Sequence, residues 1–244
     1  YGVPDHLRLV AGPGTQALIS HLPALLPAGD VAIVGPTYSS HADVWQRSGR
    51  KVTEVTSPYF EPAPDTRVIV IVNPNNPDGR LVDPKSLRHH AETMAARGGL
   101  LIVDEAFADC VPGASVLPHL GDVPVLVLRS FGKFYGLAGV RLGFAAGPKS
   151  ITDALSASLE SWAVSGPAIE IAECVATVGP ARAEGELIAV GAVVSSGHMH
   201  PPLVAHRIGK PSPGTVQIEL EHRVAPLRVV RAEQRGRLLR GAAA

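Results

Sequence analysis

Apolar runs rich in β-branched residues alternate with longer amphipathic stretches along this chain. This alternation is typical of strands joined by helical crossovers, so it predicts an α/β fold with a mostly parallel sheet. Several of the runs are apolar throughout, as strands covered on both faces require. The predicted strands are Leu7 to Val10, Val31 to Val34, Val52 to Val55, Val68 to Val72, Leu100 to Val103, Val125 to Leu128 and Leu142 to Ala145.

The amphipathic stretches between these runs predict the helices. Asp83 followed by Pro84 is a start signal, because it places an N-cap acceptor before a proline at the first helical position. Gly98 is a stop signal for the same helix. The predicted helices are Thr15 to Leu26, Ser39 to Arg47, Pro84 to Arg97 and Pro148 to Trp162.

Charge and cysteine content narrow the function. The 22 Lys and Arg residues balance 22 Asp and Glu residues, which argues against a nucleic-acid or anionic-membrane binder and favours a small-molecule site. The chain has only two cysteines, Cys110 and Cys174. This number is too small for a disulfide framework and is typical of a protein in the reducing cytosol. With no apolar run of about 18 residues and no leader, we expect a cytoplasmic protein. His198 and His200 lack a third ligand, so no metal site is expected.

The composition changes after Trp162. All eleven aromatic residues lie in the first 162 positions, and a Lys/Arg-rich stretch from Arg207 to Arg240 closes the chain. Because aromatic side chains supply much of the buried area of a core, the tail is not expected to form an ordinary domain. We therefore expect a large domain over residues 1–167 and an atypical segment over residues 168–244. That segment is a packed extension, a partly disordered appendage, or a sequence out of its parent reading frame.

Four loops that each follow a predicted strand carry the chemically distinctive residues, and such loops converge at one edge of a parallel sheet. The first is Ala11-Gly12-Pro13-Gly14-Thr15-Gln16-Ala17. Its glycines permit close backbone approach, and the following helix offers free N–H groups to a phosphate. The loop also matches a dinucleotide fingerprint weakly, but the acidic residue that the fingerprint requires after the next strand is absent.

The other three loops each have two interpretations. The second, Asn73 to Gly79, is either a stiff turn or a loop whose prolines hold the asparagine amides in a fixed direction at the end of the strand. In the third, Asp104 is a solvated strand end or the partner of a buried cation, and Glu105 faces the other side of the strand, which argues against a carboxylate dyad. In the fourth, Lys133 lies among aromatic residues and glycines, where burial is costly unless the ammonium group is neutralised or used.

In this order the loops resemble the fold-type I pyridoxal-phosphate enzymes of the aminotransferase class I/II group, over Tyr1 to Pro167. The resemblance rests on Asn-Asn-Pro-x-Gly, Asp-Glu-Ala-Phe, and Ser-x-x-Lys with an arginine eight residues later. Within the group, Asp-Glu-Ala-Phe-Ala-Asp and the segment Leu128 to Phe144 are most similar to the threonine-phosphate decarboxylases of cobalamin biosynthesis. The resemblance implies a three-layer α/β/α large domain with a mostly parallel seven-stranded sheet and a missing or atypical small C-terminal domain.

The resemblance also implies a role for each site residue. Lys133 binds the aldehyde of pyridoxal 5'-phosphate and moves protons at the substrate Cα, and we expect nearby aromatic rings to desolvate its amine. Asp104 faces the pyridine nitrogen, Asn76 hydrogen-bonds the ring 3-oxygen, and Tyr38 stacks on the ring. The rings expected around the amine are those of Phe131, Phe134 and Tyr135. The residues expected to hold the phosphate are Gly14, Thr15, Gln16, Ser130 and Arg141.

The chain departs from the family pattern in three places. Phe107 stands where the wider family has a tyrosine that contacts the 3-oxygen, which favours the decarboxylase branch. The chain begins at Tyr1 rather than Met, and we expect an N-terminal segment to be missing, including a tyrosine that reaches the neighbouring subunit. The arginine that clamps the substrate carboxylate is not assigned. Its candidates are Arg207, Arg223, Arg228 and Arg231.

The implied function is decarboxylation of L-threonine O-3-phosphate to (R)-1-amino-2-propanol O-2-phosphate by a homodimer with its sites at the subunit interface. The first alternative is an aminotransferase of the histidinol-phosphate type. The second is a catalytically incomplete fragment that binds the cofactor. A third, a nicotinamide-dependent dehydrogenase, rests only on the glycine turn and leaves Lys133, Asp104 and Asn76 unexplained.

Overall fold

The computed structural model of the chain describes residues 1–178. Single 3-10 turns at Ala108–Cys110, Leu117–His119 and Ala138–Val140 accompany the regular elements. Those elements are, in order, β1 (Arg8–Gly12), α1 (Thr15–Leu25), β2 (Asp30–Val34), α2 (Ser40–Arg47), β3 (Val52–Val55), β4 (Thr66–Val72), α3 (Pro84–Ala96), β5 (Leu100–Asp104), β6 (Val125–Ser130), β7 (Gly143–Gly147), α4 (Lys149–Ser158) and α5 (Gly166–Val178).

The strands form one seven-stranded sheet in the order β1-β7-β6-β5-β4-β2-β3. Strands β3, β2, β4, β5 and β6 pair in parallel, whereas β7 is antiparallel to both of its neighbours. Every predicted strand is present, and the predicted mostly parallel sheet is confirmed. Because the parallel strands end at the same edge, the loops that follow β2, β4, β5 and β6 lie there together.

Helices cover both faces of the sheet, which gives the predicted three layers. On one face, α1, α2 and α4 contribute to an apolar cluster that contains Trp45 and Leu155. On the other face, α3 contributes Met94 to a second cluster. Successive residues of β4 alternate between the two, with Val70 in the first cluster and Ile71 in the second. Burial on both faces explains why this strand is apolar throughout.

Two helix ends differ in how well the sequence predicted them. α3 begins as predicted, since Oδ1 of Asp83 accepts a hydrogen bond from the backbone N–H of Ser86 at 3.0 Å. The prediction for α4 was wrong at its C-terminus, because the helix ends at Ser158 and Leu159 has an extended backbone. Trp162 is 95% exposed, so no packing extends the helix to it.

α5 was not predicted. It crosses the predicted boundary between residues 167 and 168, and its described part runs to Val178. The rest of the predicted C-terminal segment lies outside the described residues, as do the four candidate arginines for the substrate carboxylate. Among residues 1–178, none of the helices combines the length and the apolar character that crossing a bilayer requires.

Replacing Asp83 with alanine should lower the free energy of unfolding by about 1 kcal/mol, because α3 loses its N-cap acceptor. Hydrogen bonds from the Ser86 hydroxyl and backbone N–H hold the pKa of Asp83 below its ordinary value. A carboxyl group with a lowered folded pKa stabilises the fold above its unfolded pKa of about 3.9, and this stabilisation is lost as the pH falls through the folded pKa.

Urea denaturation of wild type and Asp83→Ala should therefore show a stability difference that is full at about pH 6 and shrinks toward about pH 3. Asp122→Ala, at an exposed turn, is the control and should match the wild type at both pH values. A deficit of the same size at both pH values would show that the Asp83 carboxylate is not the stabilising group.

Candidate active site

A cleft opens at the carboxyl edge of the parallel strands, where the loops that follow β1, β2, β4, β5 and β6 meet. Its volume is about 110 Å³, whereas a single buried water needs roughly 10–15 Å³ by the same measure, so the cleft is large enough for a small molecule. The structure brings all nine predicted site residues to its wall. They are Gly14, Thr15, Gln16, Tyr38, Asn76, Asp104, Ser130, Lys133 and Arg141.

One corner of the cleft is built to hold an anion. α1 begins at Thr15, and its N-cap Gly14 has no side chain to accept hydrogen bonds from the first turn. The guanidinium group of Arg141 lies against this turn, since a Cβ atom on Gly14 would be 2.5 Å from Nη2. Ser130, the last residue of β6, also lines the cleft. Free N–H groups, a positive helix end and a guanidinium group together favour a phosphate.

A buried carboxylate forms another part of the wall. Asp104 is the last residue of β5 and is 3% exposed. Its Oδ2 accepts a hydrogen bond from Nε2 of His41 at 2.9 Å, and its Oδ1 accepts one from the backbone N–H of Ala106 at 3.0 Å. These two contacts fix the direction of the carboxylate in the cleft.

His41 is a site residue that was not predicted from the sequence. It lies on α2 and is 1% exposed, and its Nδ1 has no hydrogen-bond partner among the described residues. The available signal was its spacing, because His41, Val44 and Trp45 follow the i, i+3, i+4 pattern of a buried helix face. A histidine on that face needs a polar partner inside the fold, and Asp104 provides it.

The loops that follow β2 and β4 supply a phenol and an amide. The hydroxyl group of Tyr38 donates to Oε1 of Gln16 at 3.1 Å, which connects the β2 loop to the start of α1. Asn76 lines the cleft, and its side-chain amide has no hydrogen bond to any described residue. This amide is therefore available to a ligand.

The predicted surroundings of Lys133 were wrong. The residue is exposed, and its Nζ lies 5.6 Å from the centroid of the Phe107 ring. The three aromatic rings expected around the amine pack on one another instead. Phe131 stacks on Tyr135 at 4.9 Å between centroids, and Phe134 meets Tyr135 edge-on at 5.1 Å. Such ring pairs are favourable, whereas burying an ammonium group is costly, so the rings cluster and the amine stays open to the cleft.

Glu105 faces away from the cleft, as the strand alternation predicted. It is fully buried and accepts hydrogen bonds from Nη1 of Arg129 at 2.8 Å and from the backbone N–H of Val116 at 2.5 Å. Burial raises the pKa of Glu105, while these hydrogen bonds and one from Ser115 oppose the rise. Nη2 of Arg129 also contacts Asp109 at 2.5 Å. Asp104 and Glu105 therefore belong to separate networks on opposite sides of the strand.

The set of groups in the cleft fits pyridoxal 5'-phosphate, the cofactor expected from the resemblance. The anion corner suits its phosphate, and the carboxylate of Asp104 suits a protonated ring nitrogen. The free amide of Asn76 can donate to the ring oxygen, and the amine of Lys133 can reach an aldehyde in the same cleft. Two features of this structure support the fit, the uncapped first turn of α1 and the unpaired amide of Asn76.

Comparison with known sequences gives the same family. The model of aminotransferase class I and II matches residues 5–178. Threonine-phosphate decarboxylase of Pseudomonas aeruginosa is 42% identical over 167 residues, which cover 68% of this chain and 50% of that protein. That of a Sinorhizobium species is 45% identical over 165 residues, 67% of this chain and 49% of that protein.

More distant relatives are aminotransferases. Histidinol-phosphate aminotransferase of Thermococcus gammatolerans is 32% identical over 166 residues, which cover 64% of this chain and 47% of that protein. The chain thus spans about half the length of the curated relatives that it matches.

Solved structures share the fold. L-threonine-O-3-phosphate decarboxylase from Porphyromonas gingivalis matches with a TM-score of 0.62 and 20% identity, over 68% of this chain and 55% of that one. Histidinol-phosphate aminotransferase from Clostridium acetobutylicum matches with a TM-score of 0.61 and 21% identity, over 69% of this chain and 54% of that one. At such identities these two structures establish the fold alone.

Gly14→Ala should weaken binding of pyridoxal 5'-phosphate about 10-fold or more, because the new Cβ atom displaces Arg141 and a charge-assisted hydrogen bond is worth about 1.5–3 kcal/mol. The binding of pyridoxal, which has no phosphate, should change much less. Gly98→Ala is the matched control, since Gly98 also has a positive φ of 64° but open space around it. Fluorescence titration measures the affinities. Equal losses of affinity for pyridoxal 5'-phosphate and pyridoxal would contradict the assignment of this corner as the phosphate site.

Proposed function

Because the chain belongs to the aminotransferase class I and II family, we propose that it acts on L-threonine O-3-phosphate with pyridoxal 5'-phosphate. The products are (R)-1-amino-2-propanol O-2-phosphate and carbon dioxide. The observation that carries the proposal is the meeting of an amine, a buried acid and an anion corner in one cleft. The decarboxylase branch of the family is supported by sequence identities of 42% and 45% to threonine-phosphate decarboxylases, against 32% to a histidinol-phosphate aminotransferase.

Pyridoxal 5'-phosphate is the cofactor of this family, and when bound it supplies an electron sink for the pair left at the substrate Cα. Lys133 would hold its aldehyde carbon, Asp104 its ring nitrogen, Asn76 its 3-oxygen and Tyr38 its ring face. The phosphate would be held by Gly14, Thr15, Gln16, Ser130 and Arg141.

The buried acid has an electrostatic task. The carboxylate of Asp104 is held by His41 and by the backbone N–H of Ala106, so it needs no rearrangement to accept an N–H from a ring nitrogen. A preorganised charge in a buried position stabilises the opposite charge more strongly than water does. When the cofactor is bound, Asp104 would therefore keep a proton on the ring nitrogen.

The amine has a proton-transfer task. Lys133 lies in the cleft and is exposed, so its Nζ can give a proton to the substrate Cα after carbon dioxide leaves. The ring of Phe107 faces this Nζ and offers no hydroxyl group to the 3-oxygen. In the described part of the cleft, Asn76 would then be the side chain that donates to the 3-oxygen.

The orientation of the bound substrate decides between decarboxylation and transfer of the amino group. Decarboxylation requires the bond from Cα to the carboxylate to stand perpendicular to the ring, so that the breaking bond overlaps the π system. Groups that clamp the substrate carboxylate set this angle, and the four candidate arginines lie outside the described residues. An aminotransferase of the histidinol-phosphate type is therefore the second candidate, favoured by the 32% identical relative.

Assembly and location belong to the same proposal. We expect a homodimer in the cytoplasm. The support is the family resemblance together with a cysteine content of only two residues. Size-exclusion chromatography with light scattering tests the dimer.

The chain mixed with pyridoxal 5'-phosphate should show a visible absorbance band of a lysine-bound cofactor, and borohydride reduction should fix the pyridoxyl group on Lys133. Lys133→Ala should lose both signals, because no other amine lines the cleft within residues 1–178. Lys149→Ala, an exposed lysine paired with Asp153 on α4, is the control and should keep them. A band that survives Lys133→Ala would overturn the cofactor site.

Carbon dioxide release from L-threonine O-3-phosphate should accompany that band in the wild type and fall below detection in Lys133→Ala. Transfer of the amino group of histidinol phosphate to 2-oxoglutarate, without release of carbon dioxide, would assign the chain to the aminotransferase branch. A bound cofactor with neither reaction would identify a catalytically incomplete fragment.

A further inference from the structure

Two loops carry the residues that would hold the cofactor ring. The β2 loop, residues 35–39, carries Tyr38, and the β4 loop, residues 73–79, carries Asn76. No backbone-to-backbone hydrogen bond joins these two loops to each other within the described residues. The pairing of β2 with β4 places the starts of the two loops side by side, and the hydrogen bonds between the loops themselves are made by side chains.

The side chain of Asn75 joins the two loops. Its Oδ1 accepts a hydrogen bond from the hydroxyl group of Thr37 at 2.7 Å, and its Nδ2 donates to the carbonyl oxygen of Pro36 at 3.0 Å. Nδ2 also donates to Oδ1 of Asp78 at 2.7 Å, so both amide hydrogens are used. Arg80, directly after the β4 loop, makes a longer contact, from its Nη2 to the carbonyl oxygen of Gly35 at 3.5 Å.

The amide of Asn75 is held in a single orientation. Nδ2 faces two groups that can only accept, the carbonyl oxygen of Pro36 and the carboxylate of Asp78, so exchange of the oxygen and nitrogen positions would break both of these hydrogen bonds. The hydroxyl group of Thr37, which faces Oδ1, could accept as well as donate. Partial burial of Asp78 opposes ionisation, but hydrogen bonds from the Arg80 backbone and from Asn75 hold the pKa of Asp78 below its ordinary value. Asn75 thus donates to a charged acceptor, which makes a stronger bond than a neutral one does.

Neither Asn75 nor Thr37 lines the cleft, but each directly precedes a residue that does. We propose that Asn75 is a positioning residue, which fixes the distance between Tyr38 and Asn76 by binding the residues beside Tyr38. The inference rests on the proposed function, because it concerns the residues that would bind the same cofactor ring.

Asn73 provides a matched control in the same loop. It is 1% exposed and Asn75 is 5% exposed, so both are buried asparagines. The side chain of Asn73 accepts from the backbone N–H of Val82 at 2.9 Å and donates to the carbonyl oxygen of Val82 at 3.4 Å. These bonds stay within the connection between β4 and α3 and do not reach the β2 loop.

Cofactor binding is the first test. Asn75→Ala should weaken binding of pyridoxal 5'-phosphate about 10-fold and change the visible circular dichroism of the bound cofactor, because the ring loses its fixed contacts. Asn73→Ala should keep the wild-type affinity and spectrum, although it also loses a buried side chain. All titrations are made below the unfolding transition of each variant. Equal affinities and spectra in the two variants would overturn the proposal and leave Asn75 a purely structural residue.

Single variants of Thr37 test the same link without any change at Asn75. Thr37→Val removes the hydroxyl donor at similar volume and should reproduce the altered spectrum, whereas Thr37→Ser keeps the donor and should restore the wild-type spectrum. In the double variant, Thr37→Val should add little to Asn75→Ala, since the bond is already absent. Full additivity of the two changes would contradict the link.

Hydrogen exchange of the cofactor-free chain separates this inference from the proposed function. Asn75→Ala should speed amide exchange in residues 35–39, whereas Asn73→Ala should not. If the wild type does not bind the cofactor, the proposed function fails, and the exchange rates still decide whether Asn75 holds the β2 loop. Unchanged exchange in that loop would overturn the positioning role.

Discussion

The common direction of β2, β4, β5 and β6 is the constraint on which the site depends. Their carboxyl ends lie at one edge of the sheet, so residues far apart in sequence meet in one cleft. Asp104 and Ser130 are the last residues of neighbouring strands that pair in parallel. The strands that hold them are buried on both faces. A shift by one residue would move every side chain of a strand to the other face, so it would exchange the sides of Asp104 and Glu105.

Charge is divided between the two sides of the same strand end. On the cleft side, Asp104 pairs with His41, and the positive corner formed by α1 and Arg141 lies elsewhere in the same cleft. On the other side, Glu105 pairs with Arg129. Buried ions are tolerated only with such partners. The cleft therefore presents separate positive and negative regions, which would orient a ligand that carries an anion on one part and a cation on another.

Much of this could be predicted from local sequence. Strands such as β4 follow from apolar runs, and the N-cap at Asp83 follows from a single dipeptide, because both signals are contained in adjacent residues. The exposed position of Lys133 could not be predicted from local sequence, since it depends on the neighbouring aromatic rings packing on one another rather than around the amine. His41 was missed because its partner is 63 positions away, and the end of α4 was misplaced because Trp162 is apolar in sequence but exposed in the fold.

The central claim is that Asp104 and Lys133 hold the same cofactor ring, and the state of its ring nitrogen tests this most directly. The measurement is the nitrogen-15 chemical shift of pyridoxal 5'-phosphate labelled at that nitrogen and bound to the wild type and to Asp104→Asn. The account predicts a protonated ring nitrogen in the wild type and a neutral one in the variant, since the substitution removes the charge at similar volume. The same shift in both proteins would contradict it.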